Sequence, residues 1–362
     1  MSRGKKTSEV THKGKLYWAS LFNLIPQDLF VPSPGTTEDP YSFGWRLQDQ
    51  PISLRISFKA MLYATAEAVV ALAAMVDYVR SGRSAGAFEV NFDANSLEWV
   101  KALRLDQVAD SDYEKPDRGW TNPFGCYAYP LRRIELASKE DAATRATDFV
   151  TAVRLLPDAV FGDDKDSVLS SVERVASEAF LNIFEHAYDP DAKKLLYATA
   201  TVTPSGHFQN SEDLPTQYTS RQELEWLYEN RKSMILEIAI ADAGYGISRT
   251  LWKNAKEKHR SFAVDWETKA PNAASREAAH QHLCEYAFHH DSTRKRDEDF
   301  PTVASRLNWR GLHRCIKQTE YLSGSILLVS GQGRAGYVFV DNRIQPVFPA
   351  QAVQADFPGT LV

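Results

Sequence analysis

A chain of 362 residues is long enough for two domains or three, since a domain usually contains about 100 to 200 residues. Its 42 basic and 47 acidic residues give a net charge of −5, which provides no overall attraction to nucleic acid or to an anionic membrane. Its three cysteines are far apart, without a disulfide framework or a zinc spacing, which favours a reducing, cytoplasmic location.

The N-terminal region, residues 1–50, is predicted to be an irregular arm. It has no apolar core of the signal-peptide type, and four prolines interrupt any long element. The most apolar segment of the chain follows at Ala60–Val79. Because this segment contains Glu67 and Asp77, we predict a buried helix and not a membrane span.

Residues 51–158 are predicted to form a small α/β domain that regulates the rest of the chain or binds a partner. Strands are predicted at Leu54–Phe58, Phe88–Phe92 and Leu131–Leu136, and the second of these alternates apolar and polar residues. A helix is predicted after each strand. The strand and helix from residue 88 to residue 103 resemble the STAS fold of anti-sigma antagonists, but a generic α/β adaptor is favoured.

The most informative stretch is Ser177–Tyr188, which places an acid, an amide and an imidazole four residues apart on a predicted helix. Glu178, Asn182 and His186 therefore share one helical face. Another face carries an apolar stripe, made of Val172, Val175, Ala176, Ala179 and Ile183. A helix that buries one stripe and aligns these polar groups is suited to form one wall of a site.

Two glycine-containing stretches follow. Asp242-Ala-Gly-Tyr-Gly246 ends the apolar strand Met234–Ala241, and Arg310-Gly-Leu312 opens a further helical segment. The glycines of the first stretch permit close backbone approach or a positive φ. In the second stretch, Gly311 at a helix start leaves backbone N–H groups free to bind phosphate, and Arg310 adds a cation.

The remaining pattern predicts a sheet around these stretches. Strands are predicted at Lys194–Thr203, Gly324–Ser330 and Tyr337–Val340, and a helix at 221–231. A domain boundary is predicted near 157–166, where glycine and aspartate interrupt the pattern.

In their order, the three stretches resemble the motifs of the GHKL ATP-binding domain shared by gyrase-type topoisomerases, Hsp90 chaperones, histidine kinases and MutL proteins. The first stretch is similar to the N-box, in the form E-x-x-x-N-x-x-x-H-x-Y found in anti-sigma-factor serine kinases. Glu178, Asn182, His186 and Tyr188 match this form. The second stretch resembles the D-x-G-x-G box, and the third resembles the first half of the R-G-L-G-L motif. The resemblance covers about residues 166 to 341.

This resemblance implies an α/β fold class in the form of an α+β sandwich. A Bergerat-type ATP-binding domain would occupy residues 159–345, with a mixed sheet and helices on one face. Residues 346–362 would be a C-terminal tail. The implied cofactors are ATP and Mg²⁺, and the implied partners are ATP and either another protein or a second copy of the chain.

The resemblance also implies roles for individual residues. Glu178 would act as the catalytic base, and Asn182 would be the metal ligand, because an amide oxygen suits Mg²⁺. Asp242 would accept a hydrogen bond from the adenine amino group. The other nucleotide-binding residues would be Gly244, Gly246, Thr293, Arg310, Gly311 and Leu312.

Residues 247–310 are predicted to be a long lid that closes over the nucleotide, with a helix at Ala273–His290. Thr293 belongs to a stretch that resembles the S-T-K sequence of some family lids, so it is expected near the γ-phosphate; a solvated loop is the alternative. The histidines around the lid helix have no recognised zinc spacing. His186 has two interpretations, contact with the site or a favourable charge at the helix end.

Two departures from the family pattern are expected to weaken the site. Leu312-His-Arg314 replaces the second glycine pair of the R-G-L-G-L motif, which removes close backbone contacts to phosphate. Gly336-Tyr-Val-Phe339 stands where the family often has Gly-Thr-x-Phe, so the adenine-side threonine is expected to be missing. Weak binding, slow turnover or a degenerate site would follow.

Three functions remain open from the sequence. The first is an ATP-hydrolysing switch in which lid closure changes the docking of a domain or partner. The second is a protein kinase that acts on a serine or histidine of a partner. The third is a non-catalytic scaffold that senses nucleotide, but Glu178 favours catalysis because binding alone does not require a carboxylate there.

Overall fold

The computed structural model has an α+β fold. It describes residues 6–13, 30–32, 45–47, 52–59, 64–78, 87–93, 97–104, 119–122, 125–204, 221–230, 233–247, 250–251, 273–288, 311–331, 333–347 and 357–362. The predictions made for Thr293 and Arg310, and for most of the lid at 247–310, lie outside these residues.

The described strands are β1 (Lys6–Lys13), β2 (Phe30–Pro32), β3 (Trp45–Leu47), β4 (Ile52–Lys59), β5 (Ala87–Phe92), β6 (Tyr127–Leu136), β7 (Lys194–Pro204), β8 (Met234–Asp242), β9 (Ser325–Gly331), β10 (Gly333–Val340), β11 (Arg343–Val347) and β12 (Phe357–Leu361). The described α-helices are α1 (Ala66–Tyr78), α2 (Leu97–Leu103), α3 (Lys139–Val153), α4 (Lys165–Asn182), α5 (Arg221–Glu229), α6 (Ala273–Ala287) and α7 (Gly311–Tyr321).

Seven described strands form the large sheet, in the order β11-β10-β9-β12-β8-β7-β6, and every neighbouring pair is antiparallel. The expectation of a mixed sheet was therefore wrong for these strands. The cause is β12, which lies between β8 and β9 and separates two strands that run in the same direction. The predicted C-terminal tail thus contains a central strand, fixed by reciprocal backbone bonds of 2.8 Å between Ile240 and Val362.

The large sheet also continues across the predicted domain boundary. Strand β6, assigned from the sequence to the N-terminal domain, pairs with β7 along its length. Helix α3 follows β6, with the Ser138 hydroxyl accepting the first cap bond from Asp141 N at 3.0 Å, and packs on α4. The interruption near Gly162 is therefore a turn between two packed helices and not a boundary between domains.

Helices cover both faces of the large sheet, whereas the sequence predicted helices on one face. Alternate residues of β7 show this division. Leu196 and Ala198 join the apolar cluster of α3 and α4, while Tyr197 joins the cluster of α1. Residues from α6 and α7 form a third cluster with Ile326 and Leu328 of β9.

Helix α1 explains the most apolar segment of the sequence. Its cluster contains residues of β4, in the parallel sheet β1-β4-β5, together with residues of β7, β8, β9 and β12 in the large sheet. The helix is apolar almost all round because both sheets cover it. Its Asp77 carboxylate accepts hydrogen bonds from Arg133 at 2.6 Å and from Tyr197 at 2.7 Å. The predicted buried helix is confirmed, and no helix among the described residues has the length and apolarity to cross a membrane.

Candidate functional site

Helix α4 carries the first motif and forms one wall of the candidate site. Four residues of the predicted apolar stripe are buried, namely Val172, Ala176, Ala179 and Ile183. This burial fixes the rotation of the helix, because its apolar side must face β7 and α3. Glu178 and Asn182, one turn apart, remain half-buried on another side.

The end of this helix is a π turn at Ile183–Ala187, where the wider hydrogen-bonding pattern adds a residue to the turn. Such turns are frequent at functional sites. His186 lies within the turn, and its Nε2 is 3.6 Å from a carboxylate oxygen of Glu185. Contact with a ligand and a charge effect at the helix end both stay predictions for His186.

The second motif packs directly against this π turn. Tyr245 N donates to the Ala187 carbonyl at 2.7 Å, and a Cβ on residue 244 would lie only 2.0 Å from the same oxygen. Only glycine permits this approach. The Tyr188 hydroxyl joins the two motifs further, since it accepts from Ala243 N at 3.1 Å and donates to the Leu195 carbonyl at 2.6 Å.

Asp242 is the last residue of β8, and its carboxylate is almost fully enclosed, with 1% of the residue exposed. It accepts a hydrogen bond from Gly244 N at 2.7 Å and further bonds from the backbone N–H and the hydroxyl of Thr360. Burial raises the pKa of Asp242 to about 7, against the opposing effect of these donors. The carboxyl group of Asp242 therefore titrates near neutral pH, well above an ordinary aspartate.

Sequence reasoning missed Thr360, which holds this carboxylate from β12. The adenine-side threonine was sought at Tyr337, in β10, and was expected to be missing. The structure instead places a Gly-Thr pair, Gly359-Thr360, beside Asp242. The feature in the sequence that could have indicated this threonine is the Gly-Thr pair followed by two apolar residues. A strand of five residues is too short to show a clear alternation of apolar and polar residues.

Gly246 completes the loop after β8 with a φ of +72°. A Cβ there would lie 2.7 Å from Ser330 Oγ, a contact that real side chains do not show. The Ser330 hydroxyl accepts from Ile247 N at 2.8 Å and donates to the Gly359 carbonyl at 2.7 Å. The loop is therefore tied to β9 and β12 at the point where its backbone turns.

The third motif faces the first. Gly311 begins α7 with a φ of +40°, and a Cβ on it would lie 3.9 Å from both Oδ1 and Nδ2 of Asn182. The start of α7 is thus beside the amide predicted to bind the metal. Leu312 was predicted to bind the nucleotide, but its side chain is buried in the apolar cluster shared with α6. Any contact between Leu312 and a nucleotide must therefore come from the backbone of Leu312.

An ion pair links the two helices one turn further along. Arg314 donates to a carboxylate oxygen of Glu178 at 2.5 Å, with 42% of the Arg314 side chain and 16% of the Glu178 side chain exposed. In the sequence, residue 314 was noted only as part of the stretch that replaces the second half of the glycine motif. The structure shows that it brings a positive charge to the predicted catalytic carboxylate.

Mg²⁺ and a nucleotide stay predictions, and the donor groups among the described residues bear on them. No group of three or more His, Cys, Asp or Glu side chains suited to a metal occurs within the described ranges. Asn182 offers one amide oxygen, and such single contacts suit Mg²⁺, which keeps water and phosphate oxygens as its other ligands. The glycine at 311 leaves room beside that amide.

Comparison of the chain with protein-family models, with curated proteins and with solved structures found no significant match. The described parts of the candidate site are the polar side of α4, the glycine loop after β8, the Gly-Thr pair of β12 and the start of α7.

Proposed function

We propose that this chain binds Mg²⁺-ATP in a Bergerat-type site between α4, the loop after β8, β12 and α7, and that it hydrolyses the bound ATP. The observation that carries the proposal is the convergence of three stretches that lie far apart in sequence. Gly244 packs on Ala187 at the end of α4, and Gly311 faces Asn182 in the same helix. Each stretch alone is a common pattern; their meeting at one helix supports a shared ligand.

Asp242 is the proposed adenine-binding group. A carboxylate has about four acceptor positions, and three protein hydrogen bonds occupy Asp242 in this structure. Among the described residues these bonds leave one position, which we assign to the amino group of adenine. Since only 1% of the residue is exposed, we expect the groups around Asp242 to move apart as the base enters.

The phosphates are proposed to lie between Asn182 and the start of α7. The first backbone N–H groups of a helix have no partner within the helix, and the helix dipole favours negative charge there. When bound, Mg²⁺ would neutralise charge on the phosphate oxygens. Asn182 would hold this ion through its amide oxygen, and Glu178, one turn away, would orient and deprotonate a water molecule.

A nucleotide-sensing scaffold is the second candidate, and the ion pair of Glu178 with Arg314 favours it. A carboxylate engaged by arginine is less available to accept a proton from water. Transfer of the γ-phosphate to a serine or histidine of another protein would use the same residues. Hydrolysis, transfer and binding alone therefore differ only in what happens to the γ-phosphate.

A time course with γ-labelled ATP and Mg²⁺, with and without cell lysate, separates these functions. Free phosphate that disappears in Glu178→Ala supports hydrolysis with Glu178 as the base. Label on a lysate protein supports a kinase, and ATP binding without either product supports the scaffold. Unchanged Mg²⁺-ATP affinity in both Asp242→Asn and Asn182→Ala would overturn the site itself.

A further inference from the structure

Arg314 occupies a defined place in the candidate site. It lies three residues after Gly311 on α7, so the two residues are neighbours on one side of that helix. Glu178 and Asn182 are similarly neighbours on α4, four residues apart. The two helices therefore meet at two adjacent levels, Asn182 with Gly311 and Glu178 with Arg314.

The two levels are about one helical turn apart, roughly 5 Å along the axis. A fully extended arginine side chain covers a similar distance. The guanidinium group of Arg314 can therefore reach the level of Asn182 and Gly311 through a change of side-chain rotamer, without movement of α7. That level is where the phosphates are proposed to bind.

The ion pair is suited to be broken by a stronger ligand. The Arg314 side chain is 42% exposed, and a partly exposed ion pair with one carboxylate contributes little to stability because water screens the charges. A terminal phosphate carries more charge than a carboxylate and presents several oxygens to the planar guanidinium group. Phosphate therefore competes well for Arg314.

On the basis of the proposed function, we propose that Arg314 recognises the terminal phosphate of ATP and exchanges Glu178 for it. In the structure, Arg314 holds the Glu178 carboxylate. Once the terminal phosphate is bound, Arg314 contacts that phosphate and no longer engages the carboxylate that is proposed to act on water. With ADP the ion pair re-forms, so one side chain distinguishes the two nucleotides and prevents Glu178 from acting before ATP binds.

This arrangement also gives a physical reason for the altered glycine motif. In the R-G-L-G-L pattern that Arg310-Gly-Leu312 resembles, a second glycine would offer its backbone N–H group to phosphate; this chain has His313 at that position, followed by Arg314. His313 is directed elsewhere, with its Nδ1 3.1 Å from the Phe288 carbonyl. Arg314 thus provides, through a side chain, the phosphate contact that the backbone provides less well.

The test is the affinity of the full chain for Mg²⁺-ATP and Mg²⁺-ADP, measured by calorimetry for wild type and Arg314→Gln. We expect ATP affinity to fall by about tenfold or more in the variant, while ADP affinity changes by less than about twofold. Arg145→Gln is the matched control, because Arg145 forms a partly exposed ion pair with Asp141 on α3, away from the site. It should change neither affinity.

A second variant separates phosphate recognition from a structural role. Glu178→Gln breaks the ion pair but leaves Arg314 in place. If the pair only holds the helices together, this variant loses the preference for ATP as Arg314→Gln does, and the proposal is overturned. If Arg314 binds phosphate, Glu178→Gln keeps the wild-type preference for ATP.

The outcomes distinguish this inference from the function on which it rests. If the wild type binds neither nucleotide, the proposed function fails and the role of Arg314 fails with it. If the wild type binds ATP and Arg314→Gln keeps the same ratio of ATP to ADP affinity, the role of Arg314 alone is overturned. A selective loss of ATP affinity supports both.

Discussion

The hydroxyl group of Thr360 donates a hydrogen bond to the Asp242 carboxylate and thereby joins β12 to the end of β8. This bond favours the ionised form of Asp242, which burial disfavours. We predict that Thr360→Val raises the pKa of Asp242 and lowers Mg²⁺-ATP affinity by about tenfold at pH 7, since a bond to a charged group is worth about 1.5–3 kcal/mol.

The control for this substitution is Thr199→Val. Thr199 is a buried threonine of β7, on the face of the large sheet that packs against α1. Its hydroxyl donates to the Tyr129 carbonyl at 2.6 Å. Both variants should lose some stability in urea denaturation, but only Thr360→Val should lose nucleotide affinity. Equal affinities in the two variants would show that Thr360 has no part in the site.

The pKa of Asp242 also predicts how binding depends on pH. Burial raises this pKa to about 7, and the adenine amino group requires an ionised acceptor. Ligand affinity should therefore increase as pH rises through 7 and then level off, with adenosine bound about tenfold more weakly at pH 6 than at pH 8. Adenosine is the suitable probe because it carries no phosphate that titrates in this range.

The measurement is a calorimetric titration with adenosine at intervals from pH 6 to pH 8.5. Ionisation of Asp242 on binding should also release a proton below pH 7, which appears as a dependence of the binding enthalpy on the buffer. A flat profile would contradict the role of Asp242 as an acceptor for adenine.

The contact of residue 244 with the π turn predicts a steric effect. A Cβ at this position would lie 2.0 Å from the Ala187 carbonyl, so Gly244→Ala must push the loop away from α4. We expect a loss of roughly 1–3 kcal/mol in unfolding free energy and weaker ATP binding. Gly119→Ala, where a new Cβ has open space, should change stability by less than about 0.5 kcal/mol.

A smaller loss in Gly244→Ala than in Gly119→Ala would show that the loop tolerates the added atom and that the close approach is not required. Urea denaturation monitored by tryptophan fluorescence gives the stability of each variant. The same samples can be titrated with Mg²⁺-ATP, so that loss of binding is separated from loss of the fold.

Local sequence patterns predicted the elements of the site well. The helix predicted for Ser177–Tyr188 is the end of α4, at Lys165–Asn182, and its π turn, because the apolar stripe from Val172 to Ile183 has a helical period. Strand β8 was expected at Met234–Ala241 and occurs at Met234–Asp242. The loop after β8 and the start of α7 both approach this helical segment, Gly244 at Ala187 and Gly311 at Asn182.

What the sequence could not predict depends on contacts between distant segments. The insertion of β12 between β8 and β9 is set by non-local pairing and leaves no period in five residues. The ion pair of Glu178 with Arg314 depends on the packing angle of two helices. The pairing of β6 with β7 was missed because a loop interruption near Gly162 resembles a domain boundary.

The carboxyl groups of Glu67 in α1 and Glu237 in β8 are hydrogen bonded to each other between the helix and the large sheet. This pair of carboxyl groups predicts a second effect of pH. Burial, followed by the charge of Glu237, raises the pKa of Glu67 well above its usual value; Arg334 and Thr65 oppose this shift. The folded protein therefore holds a proton that the unfolded chain releases near pH 4.5.

The sign follows from proton linkage. Because the folded state binds more protons, stability is greatest below the pKa of the unfolded chain and decreases as pH rises towards the higher folded pKa. Glu67→Gln remains neutral at every pH, so it should remove part of this decrease and unfold at a higher urea concentration at pH 8. We expect a gain on the order of 1 kcal/mol at pH 8 and a smaller gain or a loss at pH 5.

Glu320→Gln, at an exposed position on α7, is the control and should leave the pH dependence unchanged. Glu237→Gln should act like Glu67→Gln, since it removes the charge that opposes ionisation of Glu67, although the Thr201 hydroxyl then loses a charged acceptor at 3.1 Å. Urea denaturation at pH 5 and pH 8 measures all three variants. If wild type and Glu67→Gln show the same difference in unfolding free energy between pH 5 and pH 8, the folded protein does not hold the extra proton on this pair.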